Sequence, residues 1–185
     1  MKNMTKLLSD KEVIQKVLDQ ISDKTTDLGD QTWRESVDNY RSEKRFSTEL
    51  DLFQRLPIVF CPSAALAKSG SYVARDVGGV PLLAVRGKDG VVRTFYNSCR
   101  HRGMILAEGS GNATKFICRY HAWAYGLDGN LLNVSGNEGF PDLDKNSHGL
   151  IEVETQEKCG RIFVTQKKAI SDGALASLPT LISED

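Results

Sequence analysis

At 185 residues, the chain has room for one ordinary domain with a proper core and a small appendage, but not for two large domains. Its 24 Lys and Arg offset 24 Asp and Glu and form no basic stripe interleaved with aromatics, so nucleic acid and anionic membrane are poor partners. The N-terminus "MKNMTKLLSDKEVIQKV" lacks an apolar core of signal-peptide length, and no segment approaches bilayer-spanning length, so a cytoplasmic protein is expected.

In chain order, residues 1–55 read as a helical extension. Ser9-x-x-Glu12 forms a capping box, and Ile14, Val17, Leu18 and Ile21 then recur at helical spacing as one apolar stripe. A second helix is expected around "QTWRESVDNYRSE", with Trp33, Val37 and Tyr40 on a shared face. Thr48-x-x-Asp51 would start a short third helix that stops near Pro57. From Ile58 the texture changes to short β-type runs separated by Gly, Asp and Asn. "SYVARDV", "VPLLAVR", "VVRTFY", "TKFIC", "GLIEVET" and "GRIFVTQ" are the predicted strands, joined by turns at "KDG", "GNAT" and "LDGN", of which two carry Asp-Gly. Residues 56–168 are therefore expected to form an antiparallel β domain. Residues 169–185 lack strong periodicity and read as a tail or as the start of a further domain.

The chain has four cysteines: Cys61, Cys99, Cys118 and Cys159. In a neutral chain of this length they are expected to be ligands or buried thiols, not a disulfide framework. Cys61 and Cys159 have no histidine neighbours and are expected in the core. Cys99 pairs with His101 just after one strand, and Cys118 with His121 just after another, so two loops can grip one metal centre from opposite sides. Two thiolates and two imidazoles suit either a tetrahedral zinc or a [2Fe–2S] cluster in which two histidines replace two cysteines on one iron. Spacing alone does not separate these.

The flanking residues carry more. Cys99-Arg100-His101-Arg102-Gly103, followed by Cys118-Arg119-Tyr120-His121-Ala122-Trp123, resembles the Rieske iron–sulfur signature, and more narrowly the Rieske domain of ring-hydroxylating oxygenase large (alpha) subunits. The resemblance spans residues 43–166 and includes "NSCRHRG" and "GLDGN". Met104 and Tyr120 stand where respiratory Rieske proteins carry an extra cysteine pair, and Ala122 stands where the family usually has glycine. The resemblance implies a mostly β, Rieske-type fold: an antiparallel β-sandwich with a small cluster-binding subdomain, behind an N-terminal helical extension. It further implies that Cys99 and Cys118 hold one iron and His101 and His121 the other. With neither loop cysteines nor a serine after His121 to donate hydrogen bonds to sulfur, a potential at the low end of the Rieske range is expected, on the order of −150 mV. The free imidazole nitrogens would make that potential fall as pH rises through the alkaline range.

Oxygenases of this kind activate dioxygen at a mononuclear non-haem Fe(II) held by two histidines and a carboxylate. The chain has three histidines, two of them assigned to the cluster, and His148 alone cannot build that site. Nor does a glycine-rich nicotinamide or flavin fingerprint follow any strand. The expectation is thus an electron-transfer domain with no catalytic residues of its own, whose mononuclear iron lies in a catalytic domain beyond Asp185. By resemblance its donor is a ferredoxin or flavoprotein reductase. Its acceptor is the oxygenase catalytic domain or a neighbouring subunit, in a homotrimer of large subunits serving a mono- or dioxygenase. The alternative is a free-standing Rieske ferredoxin, although those usually begin almost directly with the β domain; the outsider is a zinc-stabilised interaction module. Tyr120 and Trp123 are expected to pack the loops and keep water from the centre. Arg100, Arg102 and Arg119 are read as either solvated or facing a partner carboxylate, and His148 as a solvent-exposed loop histidine.

Overall fold

A computed structural model describes residues 8–27, 29 and 31–167. The chain divides into two compact units, Met1–Ser42 and Glu43–Asp185. In the first, α1 (Asp10–Asp23) starts at the expected capping box: the Ser9 N–H donates to the Glu12 carboxylate at 2.7 Å and the Glu12 N–H to the Ser9 hydroxyl at 3.4 Å. It ends at Lys24, whose left-handed backbone turns its N–H back to the Gln20 and Ile21 carbonyls. The predicted apolar stripe forms, yet none of its residues is buried. The second expected helix shrinks to α2 (Asp38–Arg41), with Trp33, Val37 and Tyr40 all exposed. A helix without a buried face has little to offset its nucleation cost.

The second unit opens with α3 (Glu43–Arg55), five residues ahead of the expected start at Thr48. The Thr48 hydroxyl is spent inside the helix on the Lys44 carbonyl at 2.9 Å, so it is not a cap. The helix stops just before Pro57 as expected. Its C-terminal end is held by Gln166 and Lys167, whose N–H groups donate to the Gln54 carbonyl at 3.1 and 2.8 Å.

Ten strands follow: β1 (Ile58–Pro62), β2 (Ser71–Val77), β3 (Val80–Arg86), β4 (Val92–Tyr96), β5 (Gly109–Asn112), β6 (Phe116–Ile117), β7 (Ala124–Tyr125), β8 (Leu131–Asn133), β9 (Glu152–Lys158) and β10 (Arg161–Thr165). Seven make an antiparallel sheet ordered β1-β10-β9-β4-β3-β2-β5, and β6-β7-β8 make a small three-stranded sheet. The fold is mostly β, as expected. Between β4 and β2 lies β3, whose Leu82, Leu83, Ala84 and Val85 are all 0% exposed. Because strand side chains alternate, Leu83 and Val85 enter one core with Phe95, Phe116, Tyr125 and the loop cysteines, while Leu82 and Ala84 enter a second with Phe60, Leu66, Ile162 and Val164. Burial on both faces is why this strand reads as an unbroken apolar run.

Differences from the sequence reading are local. "GNAT", expected as a turn, contributes Gly111 and Asn112 to β5, which exists because it pairs with the edge of β2 from Ser71↔Asn112 to Ala74↔Gly109. Glycine-rich sequence has no strand preference of its own, so pairing decides. The strand expected over residues 149–155 begins at Glu152, since Leu150 donates its N–H to Gly129 in the β7–β8 turn at 2.8 Å. Cys61 is buried as expected, but Cys159 is exposed: it sits with Gly160 in the two-residue turn between paired Lys158 and Arg161, both with positive φ.

Candidate metal centre

Two loops leave the sheets toward the same place. The first runs from β4 to β5 and carries Cys99 and His101; the second joins β6 to β7 and carries Cys118 and His121. Their backbones follow one plan. The Cys99 N–H donates to the Met104 carbonyl at 2.8 Å, and the Cys118 N–H to that of Trp123 at 2.8 Å. Each cysteine carbonyl then accepts from the N–H four residues on, Gly103 at 2.8 Å and Ala122 at 3.0 Å. Each of those fourth residues must turn left-handed, with φ of 73° at Gly103 and 56° at Ala122. Ala122 therefore occupies a glycine position in the second knuckle and bears the steric strain that its Cβ brings there.

Asn97, 3% exposed, closes the base of the first loop. Its side-chain oxygen accepts from the Leu106 and Ala107 N–H groups at 3.0 and 3.3 Å, and its amide donates to the Ala107 carbonyl at 2.7 Å. A buried amide with three partners contributes rigidity without an unsatisfied polar group.

Of the four expected residues, the two histidine rings meet and the two cysteines share one core with Tyr125. Cys99 and Cys118 are free thiols, each 3% exposed. The His101 and His121 rings approach to 4.6 Å between centroids. The Nδ1 atoms of both are buried without a hydrogen-bond partner. A buried, unpaired imidazole nitrogen is costly unless something binds it, and nitrogen and sulfur donors together suit a soft metal. Among the described residues, no group of three or more His, Cys, Asp or Glu converges to hold a single ion.

The surroundings are asymmetric. Trp123 is buried and stacks flat on His101, with centroids 4.9 Å apart and planes 9° off parallel, and Phe140 meets both edge-on. Tyr120 is exposed and lies 3.8 Å from His121 between ring centroids. The pair expected to pack the loops thus divides, Trp123 inside and Tyr120 at the surface. Desolvation holds His101 below the usual imidazole range, with His121 and Arg102 adding to it. Arg100, Arg102 and Arg119 are all exposed. His148 stands apart from the donor set and is partly buried, its Nδ1 2.8 Å from the Asp144 carbonyl oxygen and its ring edge-on to Trp123.

One residue escaped the sequence reading. Tyr125 is 0% exposed, and its hydroxyl oxygen accepts from the Arg100 N–H at 3.0 Å while lying 3.2 Å from the Cys99 sulfur. Against a thiolate only the hydroxyl has a proton to share, so Tyr125 would donate to an ionised Cys99. Burial, then the Cys99 contact, push its pKa up, so it remains a donor at every ordinary pH. The sequence reading counted only loop cysteines and a serine after His121 as donors and left this hydroxyl out. The available signal was a tyrosine two residues past Trp123, in a run buried throughout residues 123–127.

Residues 57–144 match the family model for the Rieske [2Fe-2S] domain. The chain carries a Rieske domain. Over 136 residues it is 36% identical to the carnitine monooxygenase oxygenase subunit of Escherichia coli (strain K12), an alignment covering 72% of this chain and 36% of that protein. Over 133 residues it is 41% identical to the chlorobenzene dioxygenase subunit alpha of Cupriavidus sp. (strain PS12), covering 66% and 30%. Among solved structures it is similar to a quaternary ammonium Rieske monooxygenase in complex with gamma-butyrobetaine, with TM-score 0.74, 31% identity and coverage of 82% of this chain and 44% of that one. It is also similar to a naphthalene 1,2-dioxygenase with bound indole, with TM-score 0.64, 32% identity and coverage of 68% and 29%. The Rieske domain thus aligns with the oxygenase subunits of mono- and dioxygenases alike, and the chain spans well under half the length of these relatives. Such a domain transfers electrons through its cluster. No described helix is long and apolar enough to cross a membrane.

Proposed function

We propose that Cys99 and Cys118 hold one iron of a Rieske [2Fe–2S] cluster through their thiolates, and His101 and His121 the other through Nδ1. The observation that carries this is the pair of buried, unpartnered Nδ1 atoms beside two buried free thiols. When bound, the cluster supplies one-electron redox chemistry. The chain's own residues do the rest. The twin knuckles fix the four donors, Trp123 stacks on His101 and keeps one of its faces dry, and Tyr125 directs a proton at the Cys99 sulfur.

The reading extends to the whole protein by likeness to its relatives. The chain takes electrons from a ferredoxin or flavoprotein reductase in the cytoplasm and passes them to the mononuclear iron of an oxygenase catalytic domain or neighbouring subunit, as the Rieske part of a large subunit that assembles as a homotrimer. Iron and acid-labile sulfide assays on the purified chain are expected to give two of each per chain, with an EPR signal appearing on reduction. Cys118→Ser and His121→Ala each abolish that signal; one zinc per chain and no sulfide overturns the assignment.

A further inference from the structure

The two donor-bearing loops are closed at their bases in different ways. The second leaves one strand and enters its neighbour: β6 and β7 pair at Phe116↔Tyr125 and Ile117↔Ala124, so a ladder shuts its base. The first leaves β4 and leads to β5, and in the sheet order β4-β3-β2-β5 two strands stand between them. Ladder bonds join only adjacent strands, about 4.8 Å apart, so no strand pairing can close this loop. One side chain spans the gap instead. The Asn97 N–H donates to the Pro81 carbonyl at 2.9 Å, which ties the residue to β3. Its side-chain amide offers what a peptide group offers, an acceptor oxygen and N–H donors. The oxygen accepts from the Leu106 and Ala107 N–H groups at 3.0 and 3.3 Å, and the nitrogen donates to the Ala107 carbonyl at 2.7 Å.

Residues 98–105, with Cys99 and His101 among them, lie between the two ends that this amide joins. Leu106 and Ala107 pack into the core on one side. On the other, a cavity of about 200 Å³ borders Asn97, Ile105 and Ala107, and Met104 and Ile105 are exposed, so packing supports the base from one side only. We propose that Asn97 is the positioning residue of the first arm: its amide replaces the strand pair that the topology denies this loop, and so fixes where Cys99 and His101 are presented. The proposal rests on the cluster reading above and assigns the residue that sets the geometry of half its donors. An interior amide whose three bonds all go to one short segment acts on that segment, whereas a residue that only fills the core acts on the whole fold.

The test follows amide hydrogen exchange in the cluster-loaded chain, with residues 98–107 read against residues 117–124 of the second loop as internal reference. Three variants are compared: Asn97→Ala, Asn97→Asp, and Val134→Ala, which trims a buried side chain of the same core outside both loops. Asn97→Ala removes all three side-chain bonds, and exchange over residues 98–107 is expected to rise about a hundredfold relative to the reference. Asn97→Asp keeps both acceptor bonds and loses the donor, and should fall between that variant and wild type. Val134→Ala should change both segments alike. The EPR signal of the reduced chain is expected to broaden in Asn97→Ala, to recover in part in Asn97→Asp, and to keep its wild-type shape in Val134→Ala. Equal acceleration of both segments in Asn97→Ala, no acceleration in either, or the same selective pattern from Val134→Ala overturns the proposal. Should Asn97→Ala fail to fold, the ratio in Asn97→Asp decides by the same criterion. A wild-type chain without an iron–sulfur signal sinks the cluster reading instead, and the exchange comparison on the chain as purified still decides whether Asn97 closes the first loop.

Discussion

Single residues set the character of the donor site. The hydroxyl of Tyr125 meets the Cys99 sulfur at 3.2 Å, and a donor to a thiolate favours the more electron-rich, reduced state. Tyr125→Phe removes it. A neutral hydrogen bond contributes about 1 kcal/mol net and 59 mV corresponds to a tenfold change for one electron, so the variant's potential should fall by on the order of 40 mV in a redox titration. An unchanged potential would show that the proton points elsewhere. The residue scale is also where the sequence was most legible. Cys99, His101, Cys118 and His121 could be named because metal ligation demands rare side chains at tight spacing. Tyr125 could not, because its role depends on the position of a sulfur 26 residues away in sequence, which no local pattern encodes.

At the scale of elements, turns and strand pairings hold the loops in place. Gly129, in the β7–β8 turn, has φ of 83°, and a Cβ there would lie 2.5 Å from Cε1 of Phe95. Gly129→Ala thus combines a left-handed penalty with overpacking against a core ring, and should cost about 3 kcal/mol in denaturant unfolding. The β3–β4 turn is tied by Asp89, which accepts from Arg93 at 2.7 Å and from the Val91 N–H at 3.1 Å. Arg93, then Val91, hold its carboxyl down at about 2, against an ordinary 3.8. A depressed carboxyl stabilises the fold above its unfolded value and ceases to do so as pH falls through its folded one. The stability that Asp89 contributes should therefore vanish between about pH 4 and 2, and Asp89→Asn should flatten that part of the acid unfolding curve. An unaltered acid limb would rule the pair out as a contributor. Short β-type runs and the Asp-Gly turn after β3 made β2, β3 and β4 readable from sequence. β5 was hidden, because a Gly-Ser-Gly-Asn strand has no intrinsic preference and forms only by adding to the edge of β2.

The whole molecule divides after Ser42, which leaves α3 with the β unit. The Gln54 carbonyl accepts from Gln166 and Lys167, and Lys167 reaches Asp51 at 2.8 Å, so α3 and the strand end after β10 brace each other. A chain beginning at Glu43 should load iron and melt within about 2 °C of the full chain. One beginning at Leu56 loses the brace and should melt several degrees lower. Equal melting of the two would place the boundary at the end of α3, as the change in sequence texture near Ile58 suggested. By itself the sequence determined the β class and named the candidate donor residues, because ligand chemistry and strand-type runs are local properties written in spacing. Only the tertiary structure decided that both knuckles share one backbone plan with Ala122 in a left-handed slot, that Tyr125 faces Cys99, and that the rings of His101 and His121 meet. Each of those facts is a distance between segments that the chain brings together only by folding.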